Sequence, residues 1–374
     1  MREYQMLVIG GGPAGLSAAI EAAEAGVKVL VVDANEKVGG QLFKQIHKFF
    51  GSSMHRAGIR GIDIGEELRA RCAELHVELW VNALAMGLYD NNVVAVDIKK
   101  ENGEHTLETI HAENIVIATG AAENAVRFPG WTLPGVMGAG AAQTMCNYHR
   151  VLPGKKILML GTGNVGLIVS YQLMQGGADI VALVEAQPQI NGYGVHASKL
   201  TREGITLYTG YTIKEAHGTD RVSEVVIAKV NPDWTFQEGT EITLEVDTVC
   251  IGTGMKPLIG LQHMAGCHIM NDRALGGWAP CHDRNMETTV PHIYVAGDST
   301  GIEEANTAIE EGKLAGISIA ESYGYISHEK AKEEKDAAWE RLAGLREGAS
   351  GEIRTAAKEH QIEEYNRFMG GETA

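Results

Sequence analysis

Two stretches of this sequence share one pattern: an apolar strand, a glycine-rich turn, a helix, and a second apolar strand that ends in an acid. The first is MLVIGGGPAGLSAAIEAAEAGVKVLVVDA, Met6 to Ala34, and the second is KILMLGTGNVGLIVSYQLMQGGADIVALVEA, Lys156 to Ala186. No other feature limits the fold as strongly. A strand–helix–strand unit of this kind forces parallel pairing, with the helix crossing one face of the sheet. The two turns lie about 150 residues apart, which is too far for a stacked repeat with a period of roughly 20–50 residues. Two separate nucleotide-binding domains fit that spacing.

The glycines carry the chemistry. Gly10, Gly12 and Gly15 form G-x-G-x-x-G between strand and helix, with Pro13 and Ala14 inside the turn. In such a turn the first glycine permits the bend, the second lets the backbone approach a pyrophosphate, and the third lets helix and strand pack closely. The helix N-terminus then offers free N–H groups and a positive dipole end to the phosphates. Asp33 follows Gly12 by 21 residues, with Ala34 next to it. An acid there can accept hydrogen bonds from a ribose 2′-hydroxyl. Gly161, Gly163 and Gly166, with Asn164 and Val165 between them, repeat the pattern, and Glu185 follows Gly163 by 22 residues. A carboxylate at that point favours a free 2′-hydroxyl and repels a 2′-phosphate, so NAD(H) is expected over NADP(H). A domain that keeps the fold and binds nothing catalytic would show the same residues.

Three further runs end in tight turns: NIVIATGA (Asn114 to Ala121), DTVCIGTGM (Asp247 to Met255) and HIYVAGDSTG (His292 to Gly301), the last followed by a helix from about Ala305. Alternation on either side of Asn102-Gly103 predicts a hairpin. The Pro- and Gly-rich FPGWTLPG, Phe128 to Gly135, is expected to carry the chain between domains. The charged tail from Glu329, with Trp339, Leu342 and Leu345 at helical spacing, reads as a surface helix docked by one narrow stripe, or else as a partner-binding helix.

Bulk properties exclude several classes. The net charge of −16 argues against nucleic acid as a partner, since phosphate binding needs a basic surface. No apolar run approaches the roughly 20 residues of a membrane span. The chain enters a strand almost at once after Met1, so a secretory leader is not expected and a cytoplasmic location is. Cys72, Cys146, Cys250, Cys267 and Cys281 are scattered, with no C-x-x-C pair. They read as idle thiols rather than metal ligands or a redox pair.

The order of these motifs carries a resemblance. A first fingerprint, then Ala118-Thr119-Gly120, a second fingerprint, and finally Gly297-Asp298 is similar to the two-dinucleotide-binding-domain flavoproteins, which include thioredoxin-reductase-like and glutathione-reductase-like enzymes. That resemblance implies that the first fingerprint holds the ADP half of FAD and that Gly297 and Asp298 bind the ribityl and phosphate region. It implies that the backbone near Thr307 and Ala308 faces the flavin N1–C2=O edge, where a helix N-terminus stabilises negative charge on reduced flavin. Gly39, Gly40 and Gln41, in VGGQLFKQIH, match a stretch that runs close to the flavin. Disulfide reductases place a redox cysteine pair after that stretch or within the second domain. Here no cysteine follows, and Cys146 stands alone; a dithiol reductase needs an attacking and a resolving thiol close together.

FPGWTLPGVMGAGAAQT, ALVEA, GGQL-x-x-Q and AGDSTGIEEANTAIEEGKLAG together resemble the FAD/NAD-type α chain of opine oxidase, hydroxyproline dehydrogenase, hydrogen cyanide synthase and dye-linked proline dehydrogenase complexes. This implies a partner flavin subunit of amino-acid-oxidase type. It also implies an iron–sulfur centre, expected on a separate small subunit because no cysteine follows Cys281. Lys44 and His47 are expected to line a loop or interface, and His196 to be a surface or packing residue. Glu303 and Glu304 are read as solvated, or as a site for a cationic group or a partner's basic patch.

The expected architecture is α/β, with two Rossmann-like dinucleotide-binding domains and the NAD-type domain inserted into the FAD domain. The segments are residues 1–125 (FAD-binding), 136–257 (NAD-type), 258–328 (FAD-binding again) and 329–374 (charged helical tail). The expected function is FAD-dependent oxidation–reduction as one subunit of an amine or amino-acid dehydrogenase. A stand-alone NADH-dependent flavin reductase and a nucleotide-holding scaffold subunit stay open as alternatives. No side chain stands out as a catalytic acid or base.

Overall fold

In the computed structural model, which describes residues 1–49 and 51–371, the chain opens with strand β1 (Arg2–Ile9), helix α1 (Pro13–Glu24) and strand β2 (Val29–Val32). β1 and β2 pair in parallel, with Met6 opposite Val29 and Ile9 opposite Val32. All four residues of β2 are buried, as expected for a parallel strand covered on both faces. Alternation sorts the side chains. Met6, Val8, Val29 and Val31 join Leu16 and Ile20 of α1 in one core, while Leu7, Ile9, Leu30 and Val32 enter the core on the other face.

Helix α2 (Gly61–Glu74) leads to β3 (Glu78–Trp80), which pairs with β2, and then to β4 (Ala83–Tyr89), β5 (Val93–Lys99) and β6 (His105–Ile117). β5 and β6 form the expected hairpin, closed where the Gly103 N–H donates to the Lys100 carbonyl at 2.9 Å. β6 serves two pairings: its first half is antiparallel to β5, and its second half is parallel to β1.

Short strand β7 (Ala121–Glu123) leads out of this unit, and β16 (Met255–Pro257) leads back into it. The unit between them spans Glu123–Met255. It contains β8 (Val136–Gly138), α3 (Ala139–Asn147), β9 (Lys156–Leu160), α4 (Asn164–Gln175), β10 (Asp179–Glu185), α5 (Gly194–Arg202) and β11 (Thr206–Thr209). β12 (Tyr211–His217), β13 (Glu224–Lys229), β14 (Ile242–Glu245) and β15 (Thr248–Ile251) complete it. Its five-stranded sheet runs β11-β10-β9-β15-β8, parallel throughout, beside a three-stranded antiparallel sheet β12-β13-β14. FPGWTLPG does not carry the crossing: Phe128 is buried in this unit's core, and the Pro129 carbonyl accepts from Ala216 N–H at 2.8 Å. The passage between units falls at Ala122–Glu123 instead.

From Lys256 onward the chain rejoins the first unit. Helix α6 (Gly260–Met264) is followed by the hairpin of β17 (Ile269–Asp272) and β18 (Gly277–Pro280), by β19 (Ile293–Val295) beside β6, and by α7 (Ala305–Ser322). α7 lies hard against α1. A Cβ on Gly312 would stand 2.1 Å from the Ala14 carbonyl oxygen, so only glycine allows that approach.

The tail is not one striped helix. It forms α8 (His328–Leu345) and α9 (Ala349–Met369), separated by Arg346–Gly348. Ala338 and Leu342 are buried in the first unit's core, Trp339 packs partly buried against it, and Ala331 is buried as well. The tail also buries two cations and an amide: as whole residues, Arg346, Lys358 and Gln361 are 7%, 3% and 0% exposed.

Candidate functional site

The first glycine turn is built by close backbone approach. Gly10 has φ +107°, and a Cβ there would lie 2.3 Å from the Ala118 carbonyl oxygen; one on Gly15 would lie 1.9 Å from the Gly10 carbonyl oxygen. Gly12 differs, because a Cβ on it would meet nothing nearer than Gly40 Cα at 3.8 Å. Space is therefore open above the residue that starts the helix. Gly12 is the N-cap of α1, Pro13 follows it, and no side chain caps the helix. The first-turn amides are left for an outside acceptor.

Other predicted residues gather on this turn. Asp33 is buried; its Oδ2 accepts from Gly11 N–H at 2.7 Å, and its Oδ1 accepts from Asn35 N–H and Nδ2–H, both at 2.8 Å. Ala34, next to it, is exposed. The GGQL segment folds back onto the turn through Gly39 N–H to the Gly11 carbonyl at 2.7 Å, which brings Gly40 against Gly12. Gln41 is exposed. Ala118 N–H donates to the Ile9 carbonyl at 2.8 Å, the Thr119 hydroxyl to the Leu258 carbonyl at 3.1 Å, and the Gly120 carbonyl accepts from Leu258 N–H at 2.9 Å.

Gly297 joins them from the other side. At φ +72° it fits between two helix starts, where a Cβ would lie 2.8 Å from Ala14 Cβ and 3.4 Å from Ala308 Cβ. Thr307 and Ala308 are buried in the first turn of α7, which also has no side-chain cap. Asp298 accepts from Glu303 N–H at 3.2 Å. Burial pushes its carboxyl up to about 7, that N–H opposes the shift, and Glu311, Glu303 and Glu304 add to it.

Beneath Gly297 lies an ionic cluster that sequence reading missed. Glu311 Oε2 accepts from Gly297 N–H at 2.9 Å, and its Oε1 faces Arg346 at 2.9 Å and Lys358 at 3.0 Å. Burial alone would raise the Glu311 carboxyl, but Lys358 and Arg346 outweigh it and hold it well below the usual range. Glu303 is neither solvated nor open to a partner: Arg346 binds it at 2.9 Å through two nitrogens. Glu304 is exposed. A charge pattern read along the chain does not report partners some 40 residues away.

The second unit repeats the first turn almost atom for atom. Gly161 has φ +104°, and a Cβ on it would lie 2.3 Å from the Gly252 carbonyl oxygen; one on Gly166 would lie 2.2 Å from the Gly161 carbonyl oxygen; one on Gly163 would meet nothing within 4 Å. Gly163 is the N-cap of α4, with no side-chain cap. Glu185 Oε2 accepts from Thr162 N–H at 3.0 Å and lies 2.8 Å from the Thr162 hydroxyl, while its Oε1 accepts from Gln187 N–H at 2.9 Å. Asn164 Oδ1 accepts from Tyr193 N–H at 2.9 Å, and Val165 is exposed.

The remaining candidates stand apart from the turns. Lys44 is buried in a short 3-10 helix, Gly40–Lys44, and His47 stacks on Phe49 with ring centroids 5.7 Å apart. His196 is buried on α5, and burial holds its imidazole below the ordinary range. All five cysteines are free, and all but Cys146 are buried. Burial pushes the Cys72, Cys250 and Cys281 thiols up to about 12, far from a reactive thiolate. Among the described residues no helix is long and apolar enough to cross a membrane.

Two units, each with parallel strands around an uncapped glycine turn and an acid at the end of the next strand, and a Gly-Asp turn seated on the first, define a two-dinucleotide-domain oxidoreductase. The family description "pyridine nucleotide-disulphide oxidoreductase" matches residues 4–312. The chain belongs to that family, whose members are FAD-dependent oxidoreductases that also bind a pyridine nucleotide. It is 28% identical to the HcnB subunit of hydrogen cyanide synthase from Pseudomonas protegens, over 91% of this chain and 75% of that protein. It is 29% identical to the A subunit of opine oxidase from Agrobacterium tumefaciens, over 87% and 67%. The alpha subunit of sarcosine oxidase from a Corynebacterium is 27% identical, over 86% of this chain but only 33% of that protein. Among solved structures, T. acidophilum thioredoxin reductase superposes with TM-score 0.67 at 20% identity, over 86% of this chain and 99% of that one. L-proline dehydrogenase from P. horikoshii gives TM-score 0.67 at 22% identity, over 90% and 59%. At these identities the solved structures speak for the fold.

Proposed function

We propose that the chain is the dinucleotide-binding subunit of a multi-subunit amine or amino-acid dehydrogenase of the opine- or proline-oxidising kind, working in the cytoplasm. The observation that carries this reading is the pair of matched turns, only the first of which bears a Gly-Asp segment. That asymmetry supports the reading that the first unit takes FAD and the second a pyridine nucleotide. The relatives by sequence are named as subunits of larger enzymes, which supports the subunit role.

Bound FAD supplies two-electron chemistry, exchanging hydride or electrons with a donor and an acceptor. The chain's own residues bind and orient. The Gly10–Gly15 turn and the N-terminus of α1 face the pyrophosphate. Asp33 accepts three protein hydrogen bonds, and a carboxylate offers about four acceptor positions, so it keeps capacity for a ribose hydroxyl. Gly40 and Gln41, with Ala118, Thr119 and Gly120, border the same groove. Asp298 would receive a ribityl hydroxyl, and the N-terminus of α7 at Thr307 would stabilise negative charge on the reduced ring, the next amide, Ala308 N–H, already donating to the Glu304 carbonyl at 3.1 Å. In the second unit Gly161–Gly166 takes the pyrophosphate, and Glu185 takes the 2′-hydroxyl and repels a 2′-phosphate.

A flavin held by the first unit would exchange electrons with either a nicotinamide held by the second unit or a partner. The expected partners are a flavin subunit of amino-acid-oxidase type and a small iron–sulfur subunit. The intact second turn favours one other reading, a free-standing NADH-dependent flavin reductase. Dye reduction with opines or proline as donor, measured for the chain alone and for the chain with its partner subunit, separates the two. Turnover only in the presence of the partner supports the subunit role. NADH-driven turnover by the chain alone, unchanged by the partner, contradicts it.

A further inference from the structure

The tail helices reach into the site already described. Three of their side chains hold the segment Gly297–Glu303 from below. Arg346 binds both oxygens of Glu303 at 2.9 Å and one oxygen of Glu311 at 2.9 Å. Lys358 Nζ lies 3.0 Å from Glu311 and donates to the Thr300 carbonyl at 3.2 Å and to the Thr300 hydroxyl. Gln361 Nε2 donates to the Thr300 carbonyl at 3.0 Å and to the Pro280 carbonyl. The charged side chains are almost wholly covered: Arg346 and Glu303 are 5% exposed, Glu311 and Lys358 4%.

Glu311 transmits this hold. One of its oxygens takes the two cations, and the other takes Gly297 N–H at 2.9 Å and lies 3.0 Å from the Thr300 hydroxyl. Gly297 in turn is wedged between Ala14 and Ala308, in the first turns of α1 and α7, which the proposed function aims at the dinucleotide. A shift of the tail cations therefore moves Glu311, and through it the Gly-Asp turn.

The charges also count. Asp298, Glu303 and Glu311 are three carboxylates, and Arg346 and Lys358 are two cations. His282, in the same cluster, is fully buried and held neutral near physiological pH, its imidazole lowered to about 4 first by burial and then by Lys358. Glu303 and Glu311 are matched by the two cations, while Asp298, pushed up to about 7, is only partly charged at neutral pH. With either cation lost one buried carboxylate is left unmatched, close to the turn that must accept an anionic pyrophosphate.

We infer that Arg346 and Lys358 of the C-terminal helices are positioning residues for dinucleotide binding: they fix the turn Gly297–Glu303 and offset the carboxylates beneath it. The inference rests on the reading that the first unit holds FAD. It makes the tail a structural part of the FAD site rather than a free arm for a partner.

The test is FAD affinity, measured by quenching of FAD fluorescence on the full-length apoprotein, for wild type, Arg346→Met, Lys358→Met, Lys358→Arg and the double variant Glu303→Gln/Arg346→Met. Apoprotein melting is followed alongside. The methionine variants are expected to weaken FAD binding by about tenfold or more. Lys358→Arg keeps the charge and should stay within about threefold of wild type. The double variant, which removes a carboxylate together with its cation, should recover most of the loss and keeps the test open should Arg346→Met not fold. Methionine variants that fold and bind FAD as wild type does overturn the inference, as does a double variant that folds but binds no better than Arg346→Met. A wild-type chain that binds no FAD is a different failure: it overturns the assignment of the first unit.

Discussion

Arg346 grips Glu303 with two nitrogens, Nε and Nη2, each 2.9 Å from a separate carboxylate oxygen, and both side chains are 5% exposed. A paired fork of this kind is the strong form of a charge-assisted hydrogen bond. Burying the two charges is costly in itself, so breaking the pair from one side leaves a stranded carboxylate. Arg346→Met should therefore destabilise the protein by about 3–5 kcal/mol, read as a lower denaturant midpoint with an unchanged slope. A loss below about 1 kcal/mol would place the pair among weak surface bridges.

Gly12 and Gly163 allow binding to be separated from folding. Both have negative φ and extended ψ, and a Cβ on either has open space. Gly12→Ala should leave apoprotein melting nearly unchanged yet weaken FAD by about tenfold or more, because the methyl enters the path of the pyrophosphate. Gly163→Ala should do the same for NADH and spare FAD. Gly15→Val is the contrast, since its Cβ would sit 1.9 Å from the Gly10 carbonyl oxygen and folding itself should fail. Titrations of the two alanine variants with both nucleotides check the assignment of each turn.

Asp298 gives a pH dependence with a definite sign. Its carboxyl is pushed up to about 7, first by burial, so between its ordinary value of 3.8 and about 7 the folded state holds a proton that the unfolded state has released. Stability from this group thus falls as pH rises through that window and stays lost above it. Apoprotein carrying Asp298→Asn should melt above wild type near pH 8 and converge with it near pH 4. A wild-type apoprotein that melts higher near pH 8 would contradict the sign.

Glu185 should set nucleotide choice. Binding measurements on wild type should favour NADH over NADPH by about tenfold or more, through repulsion of the 2′-phosphate. Glu185→Ala should narrow that gap. It should also cost about 1–3 kcal/mol of stability, because the buried Thr162 N–H loses its acceptor.

The thiols should be silent. Under native conditions an aromatic disulfide reagent should modify Cys146 alone, since the other four are buried, and unfolding should release all five. Cys146→Ser should leave reduction of the flavin unchanged. Any loss there would reopen a thiol role.

Much of this was legible in the sequence because the turns are local. Glycine at three fixed spacings, a strand before and an acid after, is a pattern that backbone sterics impose within about 30 residues, and both copies fold as read. The Asn102-Gly103 hairpin was legible for the same reason. What stayed hidden was long-range pairing. The sequence leaves Glu303 open between solvation and a cationic group, because the cation it meets, Arg346, lies 43 residues away across a helix pair. Lys358 looked like one more charge in a charged tail, though it reaches Thr300 across 58 residues. Periodicity marks an apolar stripe; it does not mark a buried cation whose partner comes from another element. The crossing at Ala122–Glu123 was missed because a Pro- and Gly-rich stretch reads as a linker whether it joins units or, as with Phe128, packs inside one.

The central claim is that the chain holds two live dinucleotide sites, one for FAD and one for NADH. An anaerobic titration of the purified chain with NADH, followed at the flavin band near roughly 450 nm, tests it most directly. The account predicts a yellow protein whose band bleaches with about one equivalent of NADH. A chain that stays colourless after FAD is added would contradict the first site, and a yellow chain that NADH never bleaches would contradict the second as a redox site.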